Sequence, residues 1–145
     1  MNKIILISIL LFASFVGFSQ SAHVVTHNKT TITCDPKKGE KSFNAWGVFP
    51  SEKQDIRRIF MNLTLAYPAD RPIAHWDYLD RVKLIRKGGK KAEPLNLEIG
   101  RMLTPYGSNF IPGWKYMWKV DVSDFASFLR DSVEIQYIHT GYEAT

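Results

Sequence analysis

Three stretches of strict two-residue alternation constrain this chain more than any other feature. In RIFMNLTLAY, residues 58–67, Ile59, Met61, Leu63 and Leu65 fall on one side, while Phe60, Asn62 and Thr64 fall on the other. In WKYMWKVDV, residues 114–122, Trp114, Tyr116, Trp118, Val120 and Val122 alternate with Lys115, Met117, Lys119 and Asp121. In VEIQYIH, residues 133–139, Val133, Ile135 and Tyr137 alternate with Glu134, Gln136 and Ile138. A period of two is that of a strand with one face on a core and the other in solvent. Helices of ordinary length have no comparable stretch to occupy. FNAWGVF (43–49), RVKLIRK (81–87) and LEIGRML (97–103) are weaker strand candidates of the same kind.

Turn-forming residues separate these runs: Pro68 to Pro72, Lys87-Gly88-Gly89-Lys90, Tyr106 to Asn109, and Ile111-Pro112-Gly113. One stretch departs from alternation. In SDFASFLRD, residues 123–131, Ser123 is placed to cap a short helical turn that buries Phe125, Phe128 and Leu129. Many short strands punctuated in this way predict an all-β fold, an antiparallel jelly-roll sandwich. The chain stops at HTGYEAT, a few residues after a strong strand, which predicts a sandwich lacking its last strand and left with an open edge.

The first 19 residues read as a secretory signal peptide. Lys3 precedes the apolar run Ile4 to Phe15, and Gly17-Phe18-Ser19 supplies small residues for cleavage, so the exported chain starts at Gln20. Residues 20–145 then form a single domain, long enough for one core. The run is too short to span a bilayer comfortably and no later segment is apolar enough, so no membrane partner is predicted. Cys34 is the only cysteine of the 145 residues, so no intrachain disulfide can form. The net charge of +5 gathers at Lys37-Lys38, Arg57-Arg58 and Arg81 to Lys91. RKGGKK (86–91) reads as a solvated hairpin tip, and without a recognisable nucleic-acid fold it predicts no nucleic-acid partner.

The segment HWDYLDRVKLIRK, residues 75–87, carries the candidate chemistry: Asp77, Asp80 and Arg81 stand at the entrance of a strand beside Trp76 and Tyr78. An Asp-Arg pair there has two readings. It is an ion pair that orders a loop, or a carboxylate base or nucleophile with a guanidinium holding it ionised. Trp76 and Tyr78 offer flat faces on which the C–H surfaces of a sugar can pack. No metal is predicted, because His23 and His27 lack partner ligands at fixed spacing and His75 and His139 are isolated. No phosphate-binding glycine loop and no recognisable Ser-His-Asp arrangement is present.

Three segments, in order, resemble the N-terminal domain of the peptide-N-glycosidase F family, secreted bacterial amidases that strip N-glycans from glycoproteins. They are Asp77-Tyr78-Leu79-Asp80-Arg81, then Glu98-Ile99-Gly100-Arg101-Met102-Leu103-Thr104-Pro105-Tyr106, similar to the family's E-I-G-R-x-x-T-P-Y, then Val120-Asp121-Val122-Ser123-Asp124-Phe125 with Leu129. The resemblance covers roughly residues 43 to 142. It implies two jelly-roll domains side by side with the active site in the cleft between them. It also implies hydrolysis of the amide linking the first GlcNAc to asparagine, on a glycoprotein or glycopeptide, without metal or cofactor. The family's key acid maps onto Asp80 with Arg81 beside it, and Trp76, Asp77, Tyr78 and His139 are the implied substrate contacts. The family pattern has Trp directly before the acid, so aligning on Trp76-Asp77 nominates Asp77 instead, with Tyr78 where the arginine belongs. A second acid is expected at Ile138 to Gly141, where no carboxylate stands; Glu143 is out of register. The second domain lies outside this sequence, which predicts an isolated chain without activity. The alternative is a non-catalytic glycan- or protein-binding jelly roll in which Asp80 and Arg81 only order a loop.

Overall fold

All six alternating segments form strands. The computed structural model describes residues 20–67, 76–87, 93–107, 111 and 113–142. The expected signal peptide, most of the Gly88-Gly89 hairpin tip, the Pro68–Pro72 turn, His75 and Glu143 lie outside the described residues. The strands are β1 (Glu40–Val48), β2 (Phe60–Ala66), β3 (Leu79–Arg86), β4 (Leu95–Leu103), β5 (Lys115–Asp121) and β6 (Ser132–Thr140). They make two antiparallel sheets, one ordered β1-β6-β3-β4 and one of β2 with β5. The chain is therefore an all-β sandwich.

Side-chain parity sorts the strands as the sequence predicts, β6 excepted. β2 and β5 alternate exposed and half-buried, with Met61, Leu63 and Leu65 packed with Tyr116, Trp118 and Val120 against the core. That core is Val82, Leu84, Ile99, Met102, Val122, Leu129, Val133, Ile135 and Tyr137. Full burial of a side chain such as Leu84 or Leu129 stabilises the fold by about 2 kcal/mol. A β-bulge between Val82 and Lys83 leaves Ile99 of β4 unpaired and turns it into this core. At Gly100 the sheets meet closely: a Cβ there would lie 2.7 Å from Met61 Cε and 2.9 Å from the Trp118 ring.

The expectations for β6 and for the helical turn need correction. β6 buries both faces, Glu134 and Ile138 included, because it lies between β1 and β3 and is hemmed on both flanks. Among the described residues the edges of this sheet are β1 and β4. The helical turn forms as a 3-10 turn over Ser123–Phe125, but Ser123 does not cap it. Its Oγ accepts from the Ile59 amide at 2.9 Å and donates to Asp121 Oδ1 at 2.5 Å, tying β2 to the end of β5. Of the turn's predicted anchors Leu129 is buried, whereas Phe128 is exposed.

Candidate functional site

Among the described residues two strands oppose four, and a cavity of about 850 Å³, lined also by the segment from Ala22 to Ile32, lies between the sheets. One end of it is lined by Trp76, Tyr78, Thr104, Pro105, Tyr137 and His139. Register builds this end. Val82 lies opposite Tyr137 and Arg81 opposite Ile138, so Asp80, on the parity of Val82 and Leu84, points inward beside His139.

Asp80 is 1 % exposed and is the meeting point of three donors. The Tyr137 hydroxyl donates to Oδ2. His139 Nδ1 lies 3.0 Å from Oδ1 and 2.9 Å from Oδ2, and the Thr140 amide donates to Oδ1 at 3.3 Å. The Thr140 hydroxyl donates to the Leu79 carbonyl at 2.9 Å, closing the same corner. With the carboxylate accepting, His139 Nδ1 carries the hydrogen and Nε2 is the acceptor nitrogen of the ring. Nε2 makes no hydrogen bond among the described residues, and His139 lines the cavity. The edge of the Tyr78 ring meets the imidazole at 5.5 Å between centroids, which fixes its tilt.

The aromatic rim is held by the second segment. The Tyr78 amide donates to Thr104 Oγ1 at 2.8 Å, and the Thr104 amide donates to the Tyr78 carbonyl at 2.8 Å. Trp76 meets the Tyr106 ring edge-on at 6.0 Å. Thr104 and Tyr106 thus set where Tyr78 and Trp76 sit. Glu98 and Arg101 of the same segment face the other side of the sheet, paired at 2.6 Å; that hydrogen bond is the main cause holding the Glu98 carboxyl below its ordinary range.

Of the residues singled out in sequence, Trp76, Tyr78, Asp80 and His139 come together. Arg81 does not join them. Neighbours along a strand point to opposite faces, so its guanidinium lies across the sheet from the Asp80 carboxylate and pairs with Glu40 at 2.7 Å. Arg81 does not contact the Asp80 carboxylate; the contacts expected of it are made instead by Tyr137, His139 and the Thr140 amide. Asp77 is exposed ahead of β3, with no ion-pair partner among the described residues. Tyr137 escaped the sequence reading as anything but core; its parity with His139 in VEIQYIH was the available signal. Comparison with known protein families, with curated proteins and with solved structures finds no match to any of them. Among the described residues no group of three or more His, Cys, Asp or Glu is placed to hold a metal ion.

Tyr137 makes the site sensitive to alkali. Burial first, then the negative charge of Asp80 and its hydrogen bond, push the phenol far above its ordinary value. A folded-state pKa above the unfolded one means that this contribution is complete below about pH 10, the unfolded value, and is lost as pH rises beyond it. Denaturant unfolding at stepped pH is expected to show stability falling above about pH 10 in the wild type. Tyr137→Phe should flatten that fall while leaving the native tyrosinate absorbance titration unchanged.

Proposed function

We propose that this chain is the N-terminal sandwich, a reduced jelly roll, of an exported amidase of the peptide-N-glycosidase F type. Its reaction is release of N-glycans by hydrolysis of the GlcNAc–asparagine amide of a glycoprotein or glycopeptide. The observation that carries the reading is convergence. Two segments that resemble the family, 77–81 and 98–106, are tied to each other through Tyr78 and Thr104, and to His139 through Asp80, at one aromatic end of one cavity. No helix among the described residues is long and apolar enough to cross a membrane.

Asp80 is sealed from solvent, so it serves this chemistry through His139 and not by direct attack. His139 Nε2 takes a proton from a water whose oxygen adds to the amide carbonyl carbon. The imidazolium then returns the proton to the glycosylamine nitrogen as the C–N bond breaks, leaving aspartate in the peptide. Asp80 holds the tautomer and stabilises the imidazolium. Trp76 and Tyr78 offer faces to the sugar, and Asp77 adds an exposed carboxylate at the rim. The opposite wall of the cleft would come from the family's second domain.

One observation favours the alternative, a binding module without catalysis: Asp80 is fully satisfied inside the fold, as a loop-ordering carboxylate would be. The test is incubation of the native full-length protein, second domain included, with an N-glycopeptide, followed by mass spectrometry for conversion of asparagine to aspartate. His139→Gln is expected to slow release by about 100-fold or more, the usual worth of a positioned base, with glycopeptide binding retained. Release unaffected by His139→Gln sinks the assignment of the base. Binding without release by the native protein leaves the module reading in its place.

A further inference from the structure

The face of the four-stranded sheet turned away from β2 and β5 carries a group of side chains that this reaction does not use. Register sets Trp46 of β1 opposite Glu134 of β6 and Asn44 opposite Gln136. Residues two apart on a strand share a face, so these four flat side chains form a two-by-two square. Trp46 is 63 % exposed, whereas Glu134 beside it is 8 % exposed. Gln136 Nε2 donates to Asn44 Oδ1 at 3.1 Å, and Asn44 Nδ2 donates to Glu134 Oε1 at 2.8 Å.

This relay fixes both amides before any ligand arrives. Each amide uses one N–H within the relay and keeps another, while Gln136 Oε1 and the second Glu134 oxygen remain as acceptors. Glu134 forms no ion pair among the described residues. An apolar protein surface laid over the square would bury that carboxylate without a counter-charge, which is costly. Inside the square an anion would lie against the Glu134 carboxylate, and Lys83, opposite Gln136 on the same face, would have to outweigh that repulsion for one to bind. A neutral pyranose suits all four positions: its C–H face packs on the indole, and its adjacent hydroxyls donate to the carboxylate while accepting from the amides. Preordering lowers the entropy cost of such a contact.

We infer that Trp46, Asn44, Glu134 and Gln136 form a binding site for a neutral oligosaccharide, separate from the cavity and independent of whether His139 is catalytic. The test is a titration of the protein with neutral oligosaccharides (chitobiose, mannotriose and cellotriose), following the indole N–H resonance of Trp46, assigned with Trp46→Ala, together with the backbone amide resonances of residues 44–46 and 134–136, which report on the same patch in every variant. A saturable shift is expected with at least one of them. Trp46→Ala should weaken binding about tenfold or more, Trp46→Phe less, and Asn44→Ala measurably, while His139→Gln leaves the affinity unchanged. Trp46 is a surface residue, and unchanged thermal unfolding of its variants confirms that loss of binding is local. No saturable shift with any of the three sugars overturns the site. So does binding that survives Trp46→Ala, or binding that His139→Gln abolishes. Glycan release is read on a separate signal, so that assay stands or falls without affecting this one.

Discussion

Asp80→Asn is expected to lower stability by about 3 kcal/mol, near the top of the range for one buried polar group and within that for breaking a buried charged contact. The substitution keeps shape and removes an acceptor. The new amide nitrogen has only donors to face: the Tyr137 hydroxyl, His139 Nδ1 and the Thr140 amide all point at this carboxylate. One or more must turn away or stay unsatisfied, with little water at hand. In a domain of this size the loss corresponds to a fall in Tm of about 10 °C or more. A control separates charge from shape: Asp80→Leu combined with Tyr137→Phe and His139→Leu removes the carboxylate and its two side-chain donors, leaves only the long contact of the Thr140 amide unmade, and should cost less than Asp80→Asn alone. Denaturant unfolding of the two variants checks this. A loss below about 1 kcal/mol for Asp80→Asn would mean that the carboxylate is solvated and its donors satisfied elsewhere.

Gly141→Ala is the second large effect, at about 2 kcal/mol or more. Gly141 follows β6 at φ 134°, in the region that favours glycine. A Cβ there would stand 2.7 Å from Tyr78 Cε1 and 2.8 Å from Cys34 Sγ. The backbone penalty and the clash add, because the Tyr78 backbone is held by its two hydrogen bonds to Thr104 and its ring is packed edge-on against His139, so the ring moves aside only by giving up that contact. The variant should also disturb the Tyr78–His139 ring contact, so the His139 imidazole resonances should move even at temperatures where the protein stays folded. An Ala variant as stable as the wild type, with those resonances unmoved, would show that Tyr78 has room to spare.

The strands were legible because the physics behind them is local. Burying one face of a strand forces a period of two, and RIFMNLTLAY and WKYMWKVDV keep it over their whole length. Parity carried further than was used: Asp80 shares a side with Val82 and Leu84, which already directs it inward and Arg81 outward. Reading Asp80-Arg81 as a working pair treated neighbours in sequence as neighbours in space, which a strand forbids. Burial on the second face of β6 had one local signature, Ile138 on the parity of Glu134 and Gln136, and otherwise VEIQYIH alternates like an outer strand. Only its place between β1 and β3 closes both sides. Ser123 was misread as a cap because serine before a helical run has that role when its side chain has no better partner, and here the Ile59 amide and Asp121 provide one.

The sequence by itself determined the class of fold, the position of each strand and, β6 apart, the face each strand buries, since these follow from the alternation of apolar and polar side chains along the backbone. The tertiary structure decided which strands pair and in what register. Register depends on contacts between residues such as Asp80 and His139, far apart in the chain, and it turns separate side chains into a site. It put Tyr137 and His139 on the Asp80 carboxylate, sent Arg81 to Glu40, and squared Trp46 and Asn44 against Glu134 and Gln136.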